Sequence, residues 1–514
     1  GHESSARPPR PPRFSRRAKA IFLYGRGGGG HLASAVALRD CLLSTPQADL
    51  VAAIRLHCGR RQGLGAGEFS ILTDPAAATE LRIDMVDAGK LIEDAMMGPQ
   101  LAKAMPFSGD DIYNWCMKNG QYSLATVATH MGMGVIRNNG PLLTRYFSDY
   151  FRRERPDVVV SFIPSINRTL RRSLHATLTG VELLTVVTDM ESSEAHMWID
   201  PFVDADKAEG CAVHTIVAGG ERLQAQAVEA GYPEVKMVRT DGMVVHPKYY
   251  SAQLQGLQSP ELEGRGPVEP GAGAPAAEGA AAQPAGDKPT FVIFFGGYAP
   301  PRTFQIAQRL LATFPGRIAL VVLCGKNDAL LAKVQARSEA AAKGDTAKAP
   351  WADVVAEGFI PPSRLTEHLR TAACVIGKPG PGVASEAAVM GVPFVTEVSG
   401  STLPQELCVV DWLLATNYGV VVKSLEAFPE TLLDQLRSCA EALRTHSNRA
   451  VFQAAARIKT LMVAGAASFG EGEVDSPAAP PVAAPPALAG GSVAQGRPSP
   501  SKVAVGDSAN GHGA

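Results

Sequence analysis

The sequence has no apolar run approaching the roughly 18 to 20 residues that a membrane-crossing helix requires. Its longest hydrophobic stretches are strand-length, so any bilayer contact is expected to be peripheral. It has no surplus of either charge: 49 Lys and Arg stand against 50 Asp and Glu, a net of −1. Bulk electrostatics therefore gives no reason to expect a nucleic-acid partner. The eight cysteines (41, 58, 116, 211, 324, 374, 408, 439) lack CxxC or ligand-like spacing. That argues against a structural zinc and for reduced thiols in a cytosol-like or stromal compartment.

What is present exceeds one ordinary core. At 514 residues and 46% hydrophobic, the chain can bury two domains of roughly 150 to 250 residues each. The opening "GHESSARPPRPPRFSRRAKA" is rich in Arg and Pro. It suits a trimmed organelle-targeting remnant or an ordinary basic arm, and residues 1–18 are read as disordered. Residues 251–288 and 467–514 are Ala/Gly/Pro-rich and nearly free of aromatics, a composition that cannot offset the entropy of ordering. The expected folded blocks are thus 19–250 and 289–466.

Each block alternates short β-branched runs with longer helical patterns. "AIFLY" precedes "HLASAVALRDCLL", and "PDVVVSFI" precedes "NRTLRRSLHAT"; later "TFVIFFGG", "RIALVVLCG", "ACVIGK" and "PFVTEV" recur with helices between them. Continuous apolar strands that each lead into a helix predict parallel sheets covered on both faces, here two doubly wound α/β domains. Ligands are expected at the carboxyl ends of the strands, in the cleft between the domains.

"GKPGPGVASEAAVMGVPFV", residues 377–395, carries one acid near the front of an apolar helix predicted from about Val383 to Met390. Gly380 and Gly382 let backbone approach a ligand, and the helix start offers N–H groups and the positive dipole end to a diphosphate. Glu386 lies one turn in, and helical side chains lean back toward the amino end, so its carboxylate can reach the two hydroxyls of a ribose. The plainer reading is that Glu386 only complements the helix dipole.

In "GRGGGGH", Gly25, Gly27 and Gly30 satisfy GxGxxG, which by itself suggests an NAD(P) oxidoreductase. That reading expects an acid at the end of the second strand, whereas "LVAAIRLHC" offers Arg55 and His57. His31, exposed by the glycines at a strand end, is either a polar helix cap or a general base suited to neutral pH. Asp189 and His196 are the reserve candidates for that role, or loop-stabilising residues.

The ordered set "GGGGHLASAVAL", "VVTDMESSEAHMWIDP", "MVVHPKY", "FFGGYAP", "CGKND", "EGFIP", "GKPGPGVASEAAVMGVP" and "PQE" resembles monogalactosyldiacylglycerol synthases and the related bacterial diacylglycerol glucosyltransferases. More distantly, it is similar to the peptidoglycan N-acetylglucosaminyltransferase. The resemblance implies a GT-B fold, two Rossmann-like domains facing across a cleft, and an inverting transfer of hexose from a UDP-sugar to diacylglycerol or a similar membrane lipid. UDP-galactose leads as donor, with UDP-glucose behind it. By the same resemblance, Gly296 and Gly297 border the diphosphate, with Gly382, Val383, Ala384 and Ser385 opposite. Phe359 and Ile360 line the uracil pocket, Glu386 holds the ribose, and Gln405 and Glu406 bond the sugar hydroxyls. His31 and Asp189 are the catalytic candidates, and Gly29, Gly30 and His196 face the acceptor. The family's usual Gly before the Gln-Glu pair is here Pro404. No DxD-like metal motif is evident, so metal is expected to be dispensable.

Residues 94–123 are rich in Met and aromatics and fall where that family carries its lipid-facing region. Amphipathic contact with an anionic membrane surface fits, with Lys103 and Lys118 near headgroups; an ordinary helical subdomain is the alternative. Arg168, Arg171 and Arg172 add a basic surface or a solvated helix face. The resemblance implies a plastid envelope in a plant or alga, and otherwise the cytoplasmic face of a membrane. Without it, a non-catalytic UDP-sugar-binding regulator stays open.

Overall fold

A computed structural model describes residues 18–27, 29–44, 81–104, 108–119, 121–190, 197–199, 214–233, 236–250, 288–399 and 402–468. The basic arm to residue 17, the segment 251–287 and the tail from 469 lie outside the described residues, as does the strand expected near Arg55 and His57. Ala18, expected in the arm, already belongs to the first strand.

The first half runs β1 (Ala18–Tyr24), α1 (Gly30–Ser44), β2 (Leu81–Asp87), α2 (Ala88–Met97), α3 (Pro99–Ala104), α4 (Gly109–Lys118), α5 (Tyr122–Asn138), α6 (Gly140–Glu154), β3 (Val158–Ser161), α7 (Asn167–Thr177), β4 (Glu182–Val186), β5 (His214–Gly219), α8 (Glu221–Glu229) and β6 (Met237–Thr240). A single 3-10 turn, Pro247–Tyr250, ends it. The second half runs β7 (Thr290–Phe294), α9 (Thr303–Thr313), β8 (Ala319–Leu323), α10 (Asp328–Ala342), β9 (Val354–Glu357), α11 (Pro362–Thr371), β10 (Ala372–Ile376), α12 (Pro381–Val389), β11 (Phe394–Glu397), α13 (Pro404–Thr416), β12 (Gly419–Val422) and α14 (Leu432–Leu443). Helix α15 (Ala450–Ser468) follows.

The strands form two six-stranded sheets, ordered β2-β1-β3-β4-β5-β6 and β12-β11-β10-β7-β8-β9. Every pairing is parallel. This is the GT-B architecture of two doubly wound Rossmann-like halves. Period-two alternation builds the layers: Ala20 and Phe22 of β1 join α1 in one core, while Ile21 and Leu23 join Phe147 and Phe151 of α6 in another. Strands β3, β4 and β8 are buried along their whole length, as the apolar runs predict.

Two features depart from expectation. Strand β2, "LRIDMVD", is half-buried and pairs with β1 over its full length, from Ala18↔Leu81 to Tyr24↔Asp87. Its alternating charges hide it as an apolar run; Lys19 of β1 meets Asp84 at 3.2 Å and Glu154 at 2.9 Å. Second, the last helix of the 289–466 block packs against the first half. Helix α15 crosses back and packs on α1, β1, β3 and β6, with Val451, Ala455, Ile458 and Met462 in the core that holds Phe22 and Leu38. The approach is close enough that a Cβ on Gly465 would lie 2.9 Å from the Asp157 carbonyl oxygen.

Candidate functional site

In each sheet the chain reverses its direction of winding between two adjacent strands, β1/β3 in the first and β7/β10 in the second. Crevices open at the carboxyl ends of such strands because neighbouring connections leave in opposite directions. The glycine loop before α1 and the Gly/Pro turn before α12 occupy these two places.

At the first crevice, Gly29 adopts a positive φ of 78° and α1 begins at Gly30, both exposed to solvent. His31 follows, half-buried, with Nδ1 2.9 Å from Thr188 Oγ1 and its ring 5.5 Å from that of Trp198. Trp198 is fully buried, and its Nε1 donates to Asp189 Oδ2 at 2.8 Å. The buried Asn167 amide donates to the Trp198 carbonyl at 3.1 Å and fixes this wall. Burial lowers the His31 pKa, and the charges of Asp189 and Asp110 oppose that shift. The imidazole is therefore neutral at pH 7, the form a base requires.

Helix α4 is clamped over the glycine loop. Arg26 N–H donates to Asp110 Oδ2 at 2.7 Å, and Asn114 Nδ2 to the Arg26 carbonyl at 3.3 Å. A Cβ on Gly27 would stand 3.2 Å from Asp110 Oδ1 and 3.8 Å from Tyr113 Cδ1, so a larger residue there would press on the Asp110 carboxylate. Tyr113 is thereby held where burial, then the charges of Glu406 and Asp189, push its pKa up to about 12. Its phenol is a permanent proton donor between the two halves. Arg26 also pairs with Asp87 at 2.6 Å, and the same carboxylate caps α2 by accepting from Lys90 N–H at 3.2 Å.

At the second crevice, α12 starts at Pro381, two residues earlier than expected, because a proline with preset φ suits the first helical position. Ala384 N–H already bonds the Gly380 carbonyl at 3.1 Å, so the first-turn donors left over are those of Gly382 and Val383. Ala384 and Ser385 are buried. Glu386 is half-buried one turn in, with the Tyr249 hydroxyl and the Lys248 ammonium near enough to influence its ionisation. Burial pushes its pKa up to about 7, against the pull of Lys248 and Tyr249.

Gly296, at φ 86°, and Gly297 lie after β7; Lys326 N–H donates to the Gly297 carbonyl at 3.0 Å. Phe359, at the end of β9, is 65% exposed, and the Lys326 ammonium stands 5.2 Å above its ring. Ile360 packs against the core behind it. An exposed aromatic face beside a cation suits a planar base. Glu406 is buried, with Oε2 accepting from Leu403 N–H at 2.9 Å as a helix cap and Oε1 paired with Lys378 Nζ at 2.7 Å. Burial raises its pKa, which Lys378 opposes and Asp189 reinforces. Gln405 opens α13, but its side chain and the whole of His196 lie outside the described residues.

The charge of Asp189 thus acts on His31, Tyr113 and Glu406, and Glu406 pairs with Lys378. Glu386 has Lys248 and Tyr249 as its neighbours. The motif reading missed Tyr113, Lys326, Lys378, Lys248 and Tyr249; the last two stand in the quoted "MVVHPKY", where only their placement against α12 reveals a role. The expected basic surface on α7 is corrected: Arg168 is exposed, Arg172 half-buried and Arg171 buried, because Arg171 lies on the face that carries Leu170 and Leu174 into the core. The side chains of Lys103 and Lys118 lie outside the described residues. Among the described residues no group of three or more His, Cys, Asp or Glu is placed to hold a metal ion.

No family model matches the sequence, and no curated protein shows significant similarity to it. Solved structures do align. One is a putative UDP-N-acetylglucosamine 2-epimerase from Listeria monocytogenes, at 12% identity and TM-score 0.44, covering 86% of this chain and 94% of that one. Another is MurG of Acinetobacter baumannii, at 13% and 0.40, covering 86% and 99%. A third is the Methanocaldococcus jannaschii UDP-GlcNAc 2-epimerase in complex with UDP-GlcNAc and UDP, at 10% and 0.38, covering 86% and 99%. Superpositions this loose do not identify a reaction, and the fold assignment rests on the strand order.

Proposed function

We propose that the chain is an inverting glycosyltransferase that moves a hexose from a UDP-sugar, galactose ahead of glucose, to diacylglycerol or a similar lipid at a membrane surface. One observation carries the reading: Asp189, whose charge acts on His31, is close enough to Glu406, beside the Gly/Pro turn, to raise the cost of ionising it, and Tyr113 feels both charges. The base-bearing crevice and the anion-bearing crevice therefore share one cleft.

The residues divide the chemistry. The His31 tautomer that donates from Nδ1 to Thr188 leaves Nε2 with its lone pair. Nε2 takes the proton of the acceptor hydroxyl as its oxygen bonds to the anomeric carbon. The bond from that carbon to the phosphate oxygen breaks on the opposite face, and UDP departs. Negative charge gathers on the diphosphate, which the N–H groups of Gly382 and Val383 and the dipole of α12 stabilise. Phe359 takes the base and Glu386 the ribose.

The lipid part of the reading has its own support. Leu124, Val127, Met131 and Val135 project from α5 at spacings of three and four residues, and all are exposed. Ile112 and Trp115 of α4 and Leu101 of α3 are exposed as well. Cys116 and Ala125 are buried, so these helices possess a core of their own and present a second apolar face outward. Among the described residues no helix is long and apolar enough to cross a membrane.

The test is transfer of label from UDP-hexose to diacylglycerol in liposomes. Transfer should disappear in His31→Ala and Glu386→Ala. UDP binding without transfer for any sugar and lipid pair would replace this reading with a non-catalytic regulator. A dinucleotide oxidoreductase has one point in favour, the acid Asp87 at the end of the strand beside β1. That carboxylate is already engaged by Arg26 and α2, and nicotinamide fluorescence with indifference to Glu386→Ala would be needed to revive the idea.

A further inference from the structure

We infer that Tyr249 and Lys248, on the segment leaving the first half, are positioning residues for Glu386. They hold its carboxylate ionised and aimed, so that one half of the chain sets how well the other recognises a nucleoside. The inference rests on the nucleotide-sugar reading above and deepens it.

The geometry begins with the anchoring of the segment. His246 Nε2 meets Asp40 Oδ2 of α1 at 3.1 Å, and Lys248 N–H donates to His246 Nδ1 at 3.1 Å. Tyr250 packs edge-on against Phe452 of α15 with centroids 5.4 Å apart. Between these anchors Tyr249 is only 6% exposed and belongs to the core that also holds Ala384 and Ala387 of α12. A tyrosine pinned on both sides and buried does not swing away when a ligand arrives. Its hydroxyl is near enough to Glu386 to favour the ionised carboxylate, leaving the other lone pairs of that carboxylate for the ligand.

The electrostatic need is plain. A carboxylate accepts two ribose hydroxyls best when ionised, and burial works against that form. Lys248 supplies positive charge, with its ammonium 4.8 Å from the Tyr249 ring centroid and Asp40 and His246 behind it. The other charged groups on the elements around α12 are already matched. Glu406 of α13 pairs with Lys378, Asp411 with Arg222, and Glu397 of β11 with Arg302. Lys248 and Tyr249 are thus the groups that tune Glu386.

The experiment is calorimetric titration of the full chain with UDP-glucose between pH 5.5 and 8.5, a range in which the ligand's diphosphate diester does not titrate. The unaltered protein should bind more tightly as pH rises through about 7, the value to which burial lifts Glu386. Tyr249→Phe and Lys248→Met should each move that midpoint upward by about half a unit to one unit. Affinity at pH 7 should fall about two- to fivefold and largely recover by pH 8.5. Tyr250→Phe should leave the midpoint in place, since that phenol is buried without a hydrogen-bond partner among the described residues. Three results overturn the inference: an unmoved midpoint in both variants, an equal loss at every pH, or tighter binding by Tyr249→Phe. Absence of binding by the unaltered protein at every pH overturns the nucleotide-sugar reading and this inference with it.

Discussion

The α5 stripe supports a quantitative test of membrane contact. Leu124, Val127, Met131 and Val135 are between 43% and 67% exposed. Burying a side chain of this size fully is worth about 1.5 to 3 kcal/mol, so the exposed half of each has roughly 1 kcal/mol still to gain. Val127→Asp with Met131→Asp forfeits two such contributions, about 2 kcal/mol, or roughly a thirtyfold loss in partitioning. The penalty for seating carboxylates at an anionic surface adds to this. Co-sedimentation with vesicles containing anionic lipid and diacylglycerol measures the effect. UDP-glucose affinity, read by calorimetry on the same variant, should not change, because none of the residues assigned to the nucleotide lies on α5. Vesicle binding within twofold of the unaltered protein would refute the reasoning and return the stripe to ordinary surface.

Four further outcomes follow from the structure. His31→Ala should lower kcat by about 10² to 10⁴ while UDP-glucose affinity stays within twofold, and Tyr113→Phe should raise KM for the lipid more than it lowers kcat. His214 is fully buried between Thr185 and Tyr232, with its pKa depressed to about 3. The unfolded chain takes up a proton near 6.5 that the folded chain refuses, so stability should fall as pH drops below that value, by up to about 1.4 kcal/mol per unit. Urea midpoints at pH 7.5, 6 and 5 test this, and the slope should flatten in His214→Gln. Gly465→Ala should destabilise by about 1 to 3 kcal/mol as α15 is pushed from Asp157; an unchanged melting temperature would contradict the packing described.

Much of the fold was legible because central parallel strands are apolar on both faces: "VVVS" and "ALVVL" announce themselves, and the glycine punctuation after β1 and β10 marks their carboxyl ends. Strand β2 was not legible, since half-burial lets Arg82, Asp84 and Asp87 stand in it. The return of α15 was hidden for a different reason. Its Ala-rich apolar pattern says that it is covered, but not by which sheet. Within the site, His31 and Glu386 could be singled out from local context at strand ends and helix starts, whereas Phe359 could be named only through the family resemblance. Tyr113 and Tyr249 could not be singled out, because each earns its role from a partner more than a hundred residues away.

The course of α15 bears on any attempt to cut this molecule in two. A fragment ending at Tyr250 would lack the helix that covers Phe22 and Leu38, and its complement would carry that helix with nothing to rest on. Neither piece should be soluble by itself. Mixed together, they should reassemble, with the nineteen residues of α15 acting as the clasp.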